Sequence, residues 1–175
     1  MKKVMIMLLS ALMVATFAVS AVGQGNPRGA AKLVLKGKTV SVEFGRPSLK
    51  GRSVDELLSQ LKVGDVWRLG ADKSTTFSTG IDLAFGDTTV PAGDYSLWME
   101  KQADNSWKLV FNKQHGQWGT KHDAAQDAAS APLKQSQTAK PAEMVTITLT
   151  KAGPGGAITI EWGSMRATAD FSVVS

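Results

Sequence analysis

Apolar residues recur at every second position through most of this chain, and no cysteine is present to staple it. Together these two facts constrain the fold more than any motif does. In Thr39 to Phe44 the side chains of Val40, Val42 and Phe44 share one face, and Met144 to Thr150 alternates as cleanly. Lys32 to Lys36 is a partner run across Gly37-Lys38, a tight hairpin signal, and Tyr95 to Glu100 meets Trp107 to Phe111 across Ala103-Asp104-Asn105. Further short runs lie at Thr75 to Thr79, Ile81 to Phe85, Ala157 to Trp162 and Ala167 to Val174. A period of two puts one face of each strand inside and the other in water. Many such runs joined by Gly-rich turns predict an all-β, mainly antiparallel β-sandwich or flattened barrel.

One segment departs from that period. Ser53-Val54-Asp55-Glu56 has the form of a capping box, followed by Val54, Leu57, Leu58 and Leu61 as an apolar stripe at helical spacing. It predicts one short helix around 54–61, ended near Gly64 and packed over an end or open face of the sandwich. Residues 119–143 are rich in Ala, Ser and Gln with Pro132 and Pro141, and read as loop-rich with one short strand near Ala128 to Lys134.

The N-terminus carries an address. Lys2 and Lys3 precede an apolar run from Val4 to Val19, and small residues follow at Ala21-Val22-Gly23. This is the pattern of a secretory signal over residues 1–23, cleaved after Gly23 or Ala21. It predicts an exported protein, periplasmic or extracellular. The run is short for a spanning helix, and no later stretch is long and apolar, so no transmembrane segment is expected after signal removal. Residues 24–175 then form a single β-rich domain. At about 150 residues such a domain buries about 68–70% of its unfolded surface, enough to hold without disulfides. Losing Lys2 and Lys3 leaves 18 basic against 15 acidic residues, a net charge of +3 instead of +5. That mild excess and the export pattern argue against nucleic acid as a partner.

The densest information lies in Phe44 to Ala71, FGRPSLKGRSVDELLSQLKVGDVWRLGA, where Arg46, Lys50, Arg52 and Arg68 sit among turn formers. Pro47 presets a turn and keeps Arg46 extended. Phe44-Gly45-Arg46-Pro47-Ser48, Lys50-Gly51-Arg52, Val66-Trp67-Arg68 with Gly70-Ala71, Thr75-Thr76, Pro91 to Leu97, Trp107 with Phe111-Asn112-Lys113, and Gln117-Trp118-Gly119 follow one another along the chain. On these residues the chain resembles a family of secreted bacterial proteins catalogued as domain of unknown function 2911. The resemblance implies an exported β-rich domain and no particular activity. Two places depart from the family pattern. Asp72-Lys73 stands where the family tends to have Asn and then an acid, and the Tyr-containing stretch usual near 120–135 is replaced by Lys-His-Asp followed by Ala and Ser.

Two roles are open to the four cations. They could meet acids such as Asp55, Asp65 or Asp72 at a strand-to-helix corner, or they could form a pocket for a carboxylate, phosphate or sulfate, since Arg presents a planar bidentate fork. The candidate ligand-binding set is Arg46, Lys50, Arg52, Arg68, Asn112 and Trp118, and the partner expected is an anionic small molecule or a glycan. Trp118 belongs to it because it sits in a loop, Gly116 to Gly119, whereas Trp98, Trp107 and Trp162 lie in alternating runs that predict core. His115 and His122 with Asp123 do not match zinc spacing, so neither metal nor cofactor is expected. No nucleophile elbow or phosphate loop occurs. The alternative to a non-catalytic binding module is a hydrolase-like or other enzyme acting on an exported substrate. It requires at least two of Glu43, Asp72, His115 and Glu161 to meet in a cleft.

Overall fold

The computed structural model describes residues 25–175, and the expected signal segment lies outside them. Among the described residues, no helix is long and apolar enough to cross a membrane. The strands in chain order are β1 (Arg28–Leu35), β2 (Lys38–Gly45), β3 (Val66–Trp67), β4 (Thr75–Thr79), β5 (Leu83–Phe85), β6 (Thr88–Val90), β7 (Gly93–Lys101), β8 (Trp107–Asn112), β9 (Asp127–Ala152) and β10 (Gly155–Val173). The helix α1 (Val54–Ser59) falls between β2 and β3. All strands join one antiparallel sheet in the order β1-β2-β4-β7-β8-β9-β10-β5-β6, with β3 attached to β7. The sheet folds over into a sandwich-like form and is not closed into a barrel. β1 approaches β9 across the opening without pairing to it.

Alternation becomes burial as expected. Val40, Val42 and Phe44 of β2, Phe77 of β4, Leu109 and Phe111 of β8, and Ile147 and Leu149 of β9 are buried. β7 differs, with Tyr95 through Met99 all buried. Its outer face is covered by the loop after β8. Ser96 Oγ donates to Gln114 O at 2.6 Å, Trp98 Nε1 donates to Ser96 Oγ at 2.8 Å, and the His122 ring lies 4.9 Å from Trp98.

Three local expectations are corrected. Residues 127–143 are not loop with one short strand. They open the 26-residue β9, which pairs with β8 through Leu133 and with β10 from Lys134 onward. Ala129, Ala131 and Leu133 face inward, the first two on small side chains, so hydropathy hides a strand that its neighbours support. The first hairpin turns on Lys36-Gly37, both at positive φ, with Leu35 opposite Lys38. The capping box does not form. Ser53 makes no side-chain cap, and α1 is held by Val54, buried against the bulge at Gly163.

The pairing of β9 with β10 slips twice, between Glu161 and Gly163 and between Gly163 and Met165. At the first slip Glu143–Val145 leaves β10 and meets Pro47–Leu49. Leu49 N donates to Glu143 O at 2.9 Å and Val145 N to Pro47 O at 3.2 Å. A bulge of this kind bends its strand away from its partner. Here it catches the turn that follows β2.

Candidate functional site

One edge of β7 carries two strands in line. β4 pairs with Gly93 through Leu97, and β3 pairs with Met99 and Glu100. Between them residues 68–74 leave the sheet and return, with Leu69 and Asp72 at positive φ. Leu69 is fully buried and anchors the excursion, and Thr75 Oγ1 donates to the carbonyls of Arg68 and Leu69, each at 3.2 Å. The second wall is the turn 47–52, the third is α1, and β10 supplies the floor. Together they enclose a cleft of about 400 Å³.

Lys50, Arg52 and Arg68 all line this cleft. Arg52 donates from Nε to Leu49 O at 2.9 Å and from Nη2 to Ser48 O at 3.0 Å, and Arg68 donates from Nε to Gly70 O at 3.2 Å. These bonds orient the two guanidinium groups and leave their charge uncompensated. Among the described residues, the ion pairs are Lys108–Glu100, Lys134–Asp170 and Arg166–Glu161, with a hydrogen bond between His122 and Asp127, so none of the four predicted cations has an acidic partner within 4.0 Å. The nearby acids are otherwise engaged. Asp65 accepts from Lys62 N, Asp72 from Asn26, and Glu143 from Ser48 Oγ and Lys50 N.

The cleft is also aromatic. Trp67 of β3 and Trp162 of β10 stack with ring centroids 5.4 Å apart and planes 10° from parallel. Leu57, Leu58 and Leu61 complete an apolar wall. Trp162 is 6% exposed, and its indole N–H has no acceptor among the described residues. Buried donors are rarely left so, because an unmade bond costs about 1–3 kcal/mol.

The other predicted residues lie elsewhere. Arg46 donates to Val145 O at 3.1 Å and Thr146 Oγ1 at 3.3 Å, bridging β2 to β9 at the opening of the sheet. Asn112 is fully buried. Its amide donates to Asp123 O and Asp127 Oδ1 and its oxygen accepts from Gln114 N, bracing the loop after β8. Trp118 is 52% exposed and lines a separate depression together with Glu43 and Asp72. No hydrogen bond joins those two carboxylates among the described residues. Glu161 pairs with Arg166 at 3.7 Å, and His115 is exposed. Sequence reasoning missed Trp162 as the floor of a cleft, because alternation assigns it only to the interior. It also missed Glu143, which is 95 residues from the serine it binds.

Glu143 holds the turn bearing Lys50 and Arg52. The Ser48 hydroxyl first, then the Lys50 backbone N–H, hold its carboxyl below the ordinary glutamate value. A depressed folded-state pKa contributes stability above the unfolded value, about 4.3, and loses it as pH falls through the folded one. Glu143→Gln is therefore expected to melt below the native protein at pH 7. The gap should close as pH falls beneath the glutamate range in melts recorded across pH. A gap independent of pH would show that the charge is not what holds the turn.

A family model described as Protein of unknown function (DUF2911) matches residues 26–171. No curated protein and no solved structure matches the chain.

Proposed function

The chain belongs to the DUF2911 family of proteins of unknown function, and for it we propose an exported, non-catalytic module that binds a small anionic ligand in the cleft beside α1. The observation that carries this reading is the set Lys50, Arg52 and Arg68, three cations around one cleft with no acidic partner among the described residues. Charge-assisted bonds to carboxylate, phosphate or sulfate contribute about 1.5–3 kcal/mol each, twice a neutral bond. The stacked Trp pair and the leucines suit an apolar or planar body attached to the anion. The free Trp162 N–H adds a neutral donor. Export rests on the pattern of residues 1–23, whose removal places the binding domain beyond the inner membrane.

A ligand that binds only the folded state raises its melting temperature, by about 2.7 kcal/mol of stability at a hundred times Kd. A thermal-shift series with phosphate, sulfate, citrate, benzoate and phenyl phosphate is expected to show stabilisation by at least one aromatic anion. Arg68→Gln and the pair Lys50→Gln with Arg52→Gln should each weaken that binding by about tenfold or more. No shift across the series, or equal shifts in the variants, would remove the reading. Intact-mass analysis of protein recovered from an exporting host should find a chain starting at Val22 or Gln24.

A further inference from the structure

We propose a second binding site, for a neutral saccharide, in the depression of about 500 Å³ that holds Trp118. The exposure of this indole is imposed by the backbone. Lys73 and Trp118 form an isolated antiparallel bridge, Ser74 N donates to Gln117 O at 2.9 Å, and Gly119 N donates to Asp72 O at 2.8 Å. Gly119 permits this approach, since a Cβ there would lie 2.6 Å from Arg68 Cδ and 2.8 Å from Asp72 O. An indole 52% exposed on a backbone fixed at several points forgoes burial that its size would reward.

The groups around it differ from those of the anion cleft in charge. Arg28 and Lys73 are balanced by Glu43 and Asp72, so the lining carries no net charge, with Thr76 adding a hydroxyl. Asp72 Oδ2 accepts both Asn26 N at 2.9 Å and Asn26 Nδ2 at 3.3 Å, which fixes the carboxylate and leaves Oδ1 without a partner among the described residues. Glu43, Arg28 and Lys73 make no side-chain hydrogen bond or ion pair there either. An apolar ring face beside balanced, uncommitted donors and acceptors matches a sugar, which offers C–H groups on one face and hydroxyls around its rim. A strongly charged ligand would meet charges of its own sign in this lining as well as charges of the opposite sign.

The test is tryptophan fluorescence and calorimetric titration of residues 24–175 with cellohexaose, xylohexaose, chitohexaose and maltohexaose. At least one is expected to bind. Trp118→Ala should weaken that binding by about tenfold or more, and Trp118→Tyr, which keeps a stacking face, should retain most of it. Because Trp118 is exposed, both variants should melt as the native protein does. The Lys50→Gln, Arg52→Gln pair should leave saccharide binding unchanged, which separates this site from the anion cleft whatever the outcome there. The proposal is overturned if none of the four binds at millimolar concentration, if binding survives Trp118→Ala, or if it disappears with the Lys50 and Arg52 pair.

Discussion

Phe111→Ala is expected to lower the free energy of unfolding by about 3–5 kcal/mol, the range for deleting a buried phenyl ring. Phe111 is fully buried on β8, and its ring centroid lies 5.5 Å from Phe77, 4.9 Å from Phe85 and 6.1 Å from Tyr95. Phe77 and Tyr95 come from β4 and β7 on the same side of the sheet. Phe85 comes from β5, near the other end of the strand order, and touches Phe171 of β10 at 5.1 Å. The ring therefore clamps one layer of the folded sheet to the other, and its loss leaves a cavity that paired strands on both sides cannot collapse to fill. Phe111→Leu, which refills much of that volume, should cost far less. Urea unfolding of both variants measures this, and a cost below about 1 kcal/mol for the alanine would mean that the layers are held together elsewhere.

Gly45→Ala should be nearly as damaging, although it adds only one methyl group. A Cβ at Gly45 would lie 2.1 Å from Ala71 O and 2.9 Å from both Ala71 N and Ala71 C. These are backbone atoms and cannot rotate aside. Gly70 is tied to the same crossing, since a Cβ there would lie 2.7 Å from Gly45 O. Relieving the clash must separate the end of β2 from the excursion that carries Arg68, Gly70 and Ala71. Overpacking of this kind costs about 1–3 kcal/mol or more, and the cleft should open enough to abolish the anion binding proposed for it. Gly80→Ala is the control, as its Cβ would meet nothing closer than 3.5 Å. If Gly45→Ala melts within a degree or two of the control and still binds, the crossing is looser than its distances indicate.

Much of the β architecture was legible because each strand announces itself locally. β2 and the second half of β9 alternate in the sequence as they do in burial, whereas β7 and the end of β8 are buried on both faces. The first half of β9 did not announce itself, since Ala129 and Ala131 carry little hydropathy and the strand depends on β8 beside it. The capping box at Ser53 was a sound local signal that lost to tertiary packing of Val54. The concentration of Arg46, Lys50, Arg52 and Arg68 was visible in the chain. Its division was not: three of these line one cleft, while Arg46 turns to the β9 carbonyl at Val145.

A period of two and the lack of cysteine determined that this chain builds a β-rich core held by packing alone, because the face of a strand on which each side chain falls is settled by its immediate neighbours. The composition of the turn after β2 likewise determined that positive charge gathers there. Only the tertiary structure decided that these charges pair with no carboxylate among the described residues, that Trp67 lies against Trp162, and that Trp118 stands on a neutral surface of its own. Those relations depend on the slipped register of β9 against β10 and on the folding-over of the sheet. Both are sums over many distant contacts, and no local pattern of residues carries them.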